Sequence, residues 1–224
     1  AKVPNWILYY DNRNILYLLG KHSGNTAVKG AIRTILKKTL YYKLIGKADL
    51  AELHLQAIND FEQGVTGKKS IQLPYKFEKI AEIAHILNDP TIKKIIIPWT
   101  INMQAGSGDL QSIFVSAMKK RPELEVFYVV SPLTPLNPQR ELPNTISIGV
   151  PKFSVLRYFT YFRLRNQFDL ALQSDYQTML PLSWVAKKNL FVNDEGFCLR
   201  PAPKLSEIIE LIPSLVKKWH QAGK

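Results

Sequence analysis

The 224-residue sequence has a single cysteine, Cys198. That excludes an intramolecular disulfide and any metal cluster built on cysteines, which suits a reducing compartment and sets a cytoplasmic expectation. No stretch approaches about 18 apolar residues without a charge, so no membrane-spanning helix is expected. Residues 1–20 lack a basic segment followed by an unbroken apolar one, so no signal peptide is expected either. The Gly106-Ser107-Gly108 pair has no third glycine at dinucleotide spacing, and no Gly-Lys-Ser/Thr makes a Walker-A loop. No Gly-x-Ser-x-Gly elbow is present. The four histidines, His22, His54, His85 and His220, stand far apart and form no His-x-x-x-His pair, so no metal or other cofactor is expected. Internal repeats and low-complexity segments are missing too.

What is present is apolar residue and positive charge. Hydrophobic residues make up 46% and aromatics 11%, enough to bury a real core in one large domain or two small ones. Thirty Lys and Arg face 18 Asp and Glu, for a formal charge of +12. Such a chain is attracted to polyanions: nucleic acid, anionic lipid or phosphorylated small molecules. The cations are spread as Lys-Lys doublets from 37–38 to 217–218, not gathered in a basic tail.

Periodicity divides the chain near residue 90. In residues 1–90, "WILYY" (Trp6–Tyr10) and "NILYLL" (Asn14–Leu19) are apolar runs split by Asp11-Asn12-Arg13, and predict two strands. Residues 25–44 carry Val28, Ile32, Ile35, Leu36 and Leu40 on one helical stripe. Further helices are predicted over 48–61 and 76–87, with a short strand at Ser70–Leu73. Residues 91–224 alternate more regularly. Strands are predicted at "KKIIIP", Leu124–Val130, Thr145–Val150, Phe168–Gln173 and Leu190–Val192, and helices over 109–120, 154–166, 176–188 and 204–220. Short apolar strands alternating with helices predict an α/β fold: a Rossmann-like parallel sheet with helices on both faces, preceded by a smaller mixed N-terminal region.

In such a sheet, ligands sit beyond the carboxyl ends of the strands. The loops there are Thr100–Gly108, Ser131–Asn137, Pro151–Ser154 and Ser174–Gln177. The candidate ligand-binding residues are Thr100, Asn102, Gly106, Ser107, Gly108, Ser131, Ser174, Asp175, Tyr176 and Gln177. Gly106 and Gly108 would let backbone approach an anion at a helix start; equally, Ser107 could simply cap a helix entered through a glycine turn. No catalytic residue is assigned. His22, in the Gly/Ser-rich "GKHSGN", is expected on the surface, as a phosphate contact, an acid/base or neither. His85 falls in the apolar phase of its helix and is expected partly buried.

The stretch "VLRYFTYFRLRNQF" (Val155–Phe168) interleaves Arg157, Arg163 and Arg165 with aromatic residues. Basic-plus-aromatic faces meet anionic membranes or stack on single-stranded bases. A helix covering a sheet also needs a wide apolar face, and Leu156, Phe159 and Phe162 share one; packing is the favoured explanation for them. The three arginines are then the informative remainder, as candidate polyanion or membrane contacts.

In order and texture, residues 93–220 resemble the C-terminal, nucleotide-sugar-binding half of GT-B fold glycosyltransferases. "KKIIIPWTINMQAGSGDLQSIFVSAMKKRPELEVFYVVSP" is similar to that family's first strand, loop, helix and second strand. "ELPNTISIGV" resembles its next short strand, "RNQFDLALQSDYQ" the strand and loop that carry a sugar-nucleotide contact, and "PKLSEIIELIPSLVKK" its closing helix. Gln177 and Val185 stand near the places where retaining members carry two glutamates. The resemblance implies a glycosyltransferase-like protein that binds a nucleotide-sugar or related phosphorylated small molecule, with Gly106, Ser107 and Gly108 near the diphosphate and Ser174 to Gln177 near ribose or sugar; catalysis stays open. A peripheral contact with an anionic membrane is a further expectation of this reading. The alternative is a non-enzymatic basic protein that binds nucleic acid or docks in a larger complex.

Overall fold

The computed structural model describes residues 5–69, 71, 77–98, 110–130, 142, 145–149, 154–175, 182–193 and 196–221, with backbone alone at 5–6 and 154–158. In chain order the helices are α1 (Asn5–His22), α2 (Gly24–Leu44), α3 (Ala48–Glu62), α4 (Ile83–Leu87), α5 (Leu110–Lys120), α6 (Ser154–Arg163) and α7 (Leu205–Gln221). The strands are β1 (Lys94–Pro98), β2 (Glu125–Val130), β3 (Ile146–Gly149), β4 (Phe168–Ser174), β5 (Ala186–Asn193) and β6 (Gly196–Pro201). Two compact units result: residues 1–74 with 203–224, and residues 75–202. The division thus falls at 74/75 and again at 202/203, not at 90/91.

Among its described residues the first unit consists of helices and the loops that join them, with no strand, and is not mixed. The two strands expected before residue 20 are one helix, α1. Tyr9, Asn12, Arg13 and Leu16 are all buried, at the i, i+3, i+4, i+7 spacing of a single helix face. Asp11-Asn12-Arg13 looks like a turn only because two of its polar side chains belong to the buried face. Asn12 Nδ2 donates to the Leu8 carbonyl at 2.6 Å, and Arg13 Nη2 to the Gly67 carbonyl at 2.9 Å. The predicted stripe on α2 is observed: Val28, Ile32, Ile35 and Leu36 pack with Leu16 and Ile58, and Leu40 lies against them. α7 joins this unit because Leu211, Leu215 and Trp219 complete the same cluster.

The second unit is an α/β, Rossmann-like arrangement. Its six strands are ordered β3-β2-β1-β4-β5-β6, parallel except for β6, which pairs antiparallel with β5. Alternate residues of each strand point to opposite faces. On one face Ile95, Ile97, Val126, Tyr128, Leu170 and Leu172 pack under α4 and α5, through Ile83, Leu87, Leu110 and Phe114. On the other, Ile96, Val129 and Ala171 pack under Tyr161 of α6 and the turn that carries Leu182 and Val185. The arginine that stops α5 is also part of the frame: Arg121 donates to the carbonyls of Leu87, Asp89 and Ile92 at 2.7, 2.7 and 2.9 Å.

Three expectations change here. The helix predicted over 176–188 is, where described, a 3-10 turn at Leu182–Trp184 followed by β5. β5 lies between two strands and is buried from Asn189 to Asn193, so tertiary burial overrides the local pattern. β6 was not anticipated, although Asn193-Asp194-Glu195-Gly196 is a hairpin-like sequence between two apolar runs. The helix predicted over 76–87 shrinks to a 3-10 turn at Ile80–Glu82 leading into α4. The strand predicted at Ser70–Leu73 lies outside the described residues except Ile71, which has no regular structure.

Candidate functional site

The strand order places β1 and β4 side by side, with Ile95 paired to Leu170 and Ile96 to Ala171. From β1 the chain crosses through α5 on one face to β2; it returns to β4 through α6 on the other. The two connections part company at the carboxyl ends of β1 and β4, which is where an open α/β sheet leaves a crevice. The chain departs β1 at Pro98 and β4 at Ser174 on that edge.

Of the predicted ligand-binding residues, Ser174 and Asp175 are described, and both stand at this edge. Thr100, Asn102, Gly106, Ser107, Gly108, Ser131, Tyr176 and Gln177 lie outside the described residues. Asp175 continues the β4–β5 ladder by donating its N–H to the Val192 carbonyl at 2.9 Å, and its Oδ2 accepts from Asn193 Nδ2 at 3.4 Å. Its carboxylate is thereby held at the mouth of the strands.

Below Asp175 is a buried polar trio that the sequence did not reveal. Gln173 Nε2 donates to Ser183 Oγ at 3.1 Å and to Asn189 Oδ1 at 2.8 Å, while Asn189 Nδ2 donates to the Ser183 carbonyl at 3.1 Å. All three residues are fully buried. Satisfied amides of this kind fix the register of β4, the 3-10 turn and β5, and so the floor under the strand mouth. The available signal was the pair Asn189 and Asn193 flanking an apolar run, obscured by the expectation of a helix through 188.

The opposite, amino-terminal end of the sheet carries Asp169. Its Oδ2 accepts the N–H groups of Lys93 and Lys94 at 2.9 and 3.1 Å, and its Oδ1 accepts Lys187 Nζ at 2.8 Å. Partial burial would raise the Asp169 pKa, but these bonds, led by that from Lys187, hold it below 3.8. Arg163 and Arg165 are exposed near this end, with the Arg165 guanidinium 5.7 Å from the Trp184 ring; of Arg157 only the backbone is described, within α6.

A second polar cluster lies in the helical unit. Tyr9 Oη donates to Asp60 Oδ2, Lys69 Nζ donates to the same oxygen at 2.8 Å, and Arg13 Nη1 donates to Tyr9 Oη at 3.1 Å. Tyr9, Arg13 and Asp60 are buried. Burial and the bond to Asp60 push the Tyr9 phenol up, whereas Lys69 and Tyr9 outweigh the effect of burial on Asp60 and hold its carboxyl down. Every side chain in the cluster is engaged, so its work is to hold α1, α3 and residues 67–69 together.

Among the histidines, His22 is exposed as expected. His85 corrects the expectation of partial burial: its side chain is 83% exposed, beside Glu82 at 3.1 Å. The buried one is His54, whose Nδ1–H donates to the Leu50 carbonyl at 2.8 Å. Among the described residues no three His, Cys, Asp or Glu side chains gather to hold a metal ion, and no helix is long and apolar enough to cross a membrane.

Comparison with known families, curated proteins and solved structures finds no match to this chain. The reading of the site therefore rests on its own geometry.

Proposed function

We propose that the α/β unit binds a nucleotide-sugar, or a closely related phosphorylated small molecule, at the carboxyl ends of β1 and β4, as a glycosyltransferase-like protein. One observation carries this reading: the strand order reverses between β1 and β4, and bonds to Val192 and Asn193 of β5 hold Asp175 at that point. In this reading the Asp175 carboxylate and the Ser174 hydroxyl meet ribose or sugar hydroxyls, with Tyr176 and Gln177 beyond them. The Gly106-Ser107-Gly108 backbone supplies N–H donors to the diphosphate. Transfer would draw on stabilisation of the departing diphosphate by those donors. The proposal is one of binding: Val185, near the place of a family glutamate, is fully buried against the sheet and out of reach of a sugar.

The test is a thermal-shift panel of nucleoside diphosphates, nucleotide-sugars and short single-stranded DNA and RNA at low and physiological salt. A ligand that binds only the folded state raises Tm by mass action. The expected result is a salt-tolerant rise with one nucleotide or its sugar, abolished by Gly108→Val and weakened by Asp175→Ala. Stabilisation by oligonucleotides alone, steeply lost with salt, would overturn this reading in favour of a basic nucleic-acid-binding protein.

A further inference from the structure

α6 inverts the face that sequence periodicity assigned to packing. Tyr161 is buried and Leu164 half-buried against the sheet, whereas Phe159 and Phe162 are 65% and 71% exposed, more than any other large apolar side chain among the described residues. Core packing therefore does not account for the two phenylalanines, and an exposed aromatic pair marks a contact surface. Arg163 and Arg165 stand exposed beside them. From Leu142 to Phe168 the sequence has no acidic residue and four cations: Lys152, Arg157, Arg163 and Arg165. The next carboxylate in sequence, Asp169, is already engaged by Lys187 and by the N–H groups of Lys93 and Lys94; among the described residues neither Arg163 nor Arg165 makes an ion pair, and Arg165 stands 5.7 Å from the Trp184 ring.

We propose that the exposed face of α6 docks on the surface of an anionic lipid bilayer. Phe159 and Phe162 enter the headgroup–acyl boundary, and Arg163 and Arg165 lie among the lipid phosphates. The charge selects the occupant. A second copy of the chain on this face would oppose like charges. Single-stranded nucleic acid would satisfy the cations, but rings three residues apart on a helix form a protruding edge, which suits a yielding interface better than bases spaced along a groove. α6 leads directly into the amino end of β4, so its last turn lies at the end of the sheet opposite the carboxyl-end crevice.

The experiment is co-sedimentation of the full chain with vesicles of phosphatidylcholine alone and of phosphatidylcholine with phosphatidylserine. The expected outcome is binding to the serine-containing vesicles only, weakening as salt is raised. Phe159→Ser with Phe162→Ser should lower partitioning by about ten-fold or more, and each of Arg163→Gln and Arg165→Gln by about five-fold. All four residues are exposed, so Tm should hold, which separates lost docking from lost folding. No partitioning of the parent chain, or partitioning indifferent to these changes, would overturn the proposal. Loss instead on Ile209→Asp with Val216→Asp would overturn it too, and move the contact to the exposed apolar stripe of α7. Oligonucleotide binding that depends on the phenylalanines, without vesicle binding, would replace lipid by nucleic acid.

Discussion

Gly196 lies against the backbone of Glu78: a β-carbon built on Gly196 would sit 1.9 Å from the Glu78 carbonyl oxygen. The two segments are tied there by a reciprocal pair, Glu78 N–H to the Phe197 carbonyl at 2.7 Å and Phe197 N–H to the Glu78 carbonyl at 2.9 Å. This isolated bridge partly covers β6, the edge strand of the sheet. Gly196 also has φ 146°, a backbone conformation that side chains disfavour. Gly196→Ala is therefore expected to destabilise the α/β unit by about 2–4 kcal/mol. The check is a lower midpoint in urea unfolding followed by far-UV circular dichroism; an unchanged midpoint would refute the close approach.

The Tyr9–Asp60 pair should be as sensitive in the helical unit. Asp60→Ala leaves Arg13 buried without its acidic neighbour, and an expected loss of about 2–3 kcal/mol falls below the range for fully buried pairs because Lys69 keeps part of its hydration. Tyr9→Phe should cost about 1 kcal/mol. In a double-mutant cycle the two changes should be non-additive, since they share one bond; simple additivity would sink the assignment. The raised Tyr9 pKa carries a sign as well: the folded phenol keeps its proton while the unfolded one ionises above pH 10, so stability declines as pH rises beyond that value.

His54 makes stability depend on mildly acidic pH. Burial, chiefly, lowers its pKa below 6.5, although the bond to the Leu50 carbonyl opposes this. Below pH 6.5 the unfolded chain takes up a proton that the folded imidazole resists, so stability is full above that pH and lost as pH falls. Unfolding midpoints measured from pH 7.5 to 5 should decline in the parent chain and flatten in His54→Leu.

Asp169 shares the preference for the deprotonated form, which here is the charged one, and has a lower window. Its pKa lies below 3.8, so its contribution is complete above that pH and disappears as pH falls through the lower folded value. Asp169→Asn keeps the shape but loses the charge that meets two N–H groups and Lys187, with an expected loss of about 1–2 kcal/mol at neutral pH. The variant should be less acid-sensitive than the parent in a pH titration followed by tryptophan fluorescence. Equal sensitivity would place the acid-labile carboxylate elsewhere.

Much of the α/β unit was legible because its strands state their burial in residue type. "KKIIIP" and "LEVFYVV" are apolar on both faces, as strands between helices must be, and the break at Pro90 and the stop at Arg121-Pro122 frame them. Ser174 and Asp175 could be placed at a strand mouth for the same reason. The buried polar trio could not, because Gln173, Ser183 and Asn189 are polar residues whose burial depends on one another.

The sequence by itself determined the class of fold, the stripe on α2, the regular alternation after residue 90 and the excess of positive charge. Each is a property of near neighbours or of composition, carried by period and count. Only the tertiary structure decided that residues 5–22 form one helix, because that depends on Asp60 and Gly67 meeting Tyr9 and Arg13 from far along the chain. It decided likewise that residues 186–193 extend between two strands. On α6 it chose Tyr161 over Phe159 and Phe162 for the core. An amphipathic pattern with aromatics on two faces has two ways to pack, and the shape of the sheet beneath selects between them.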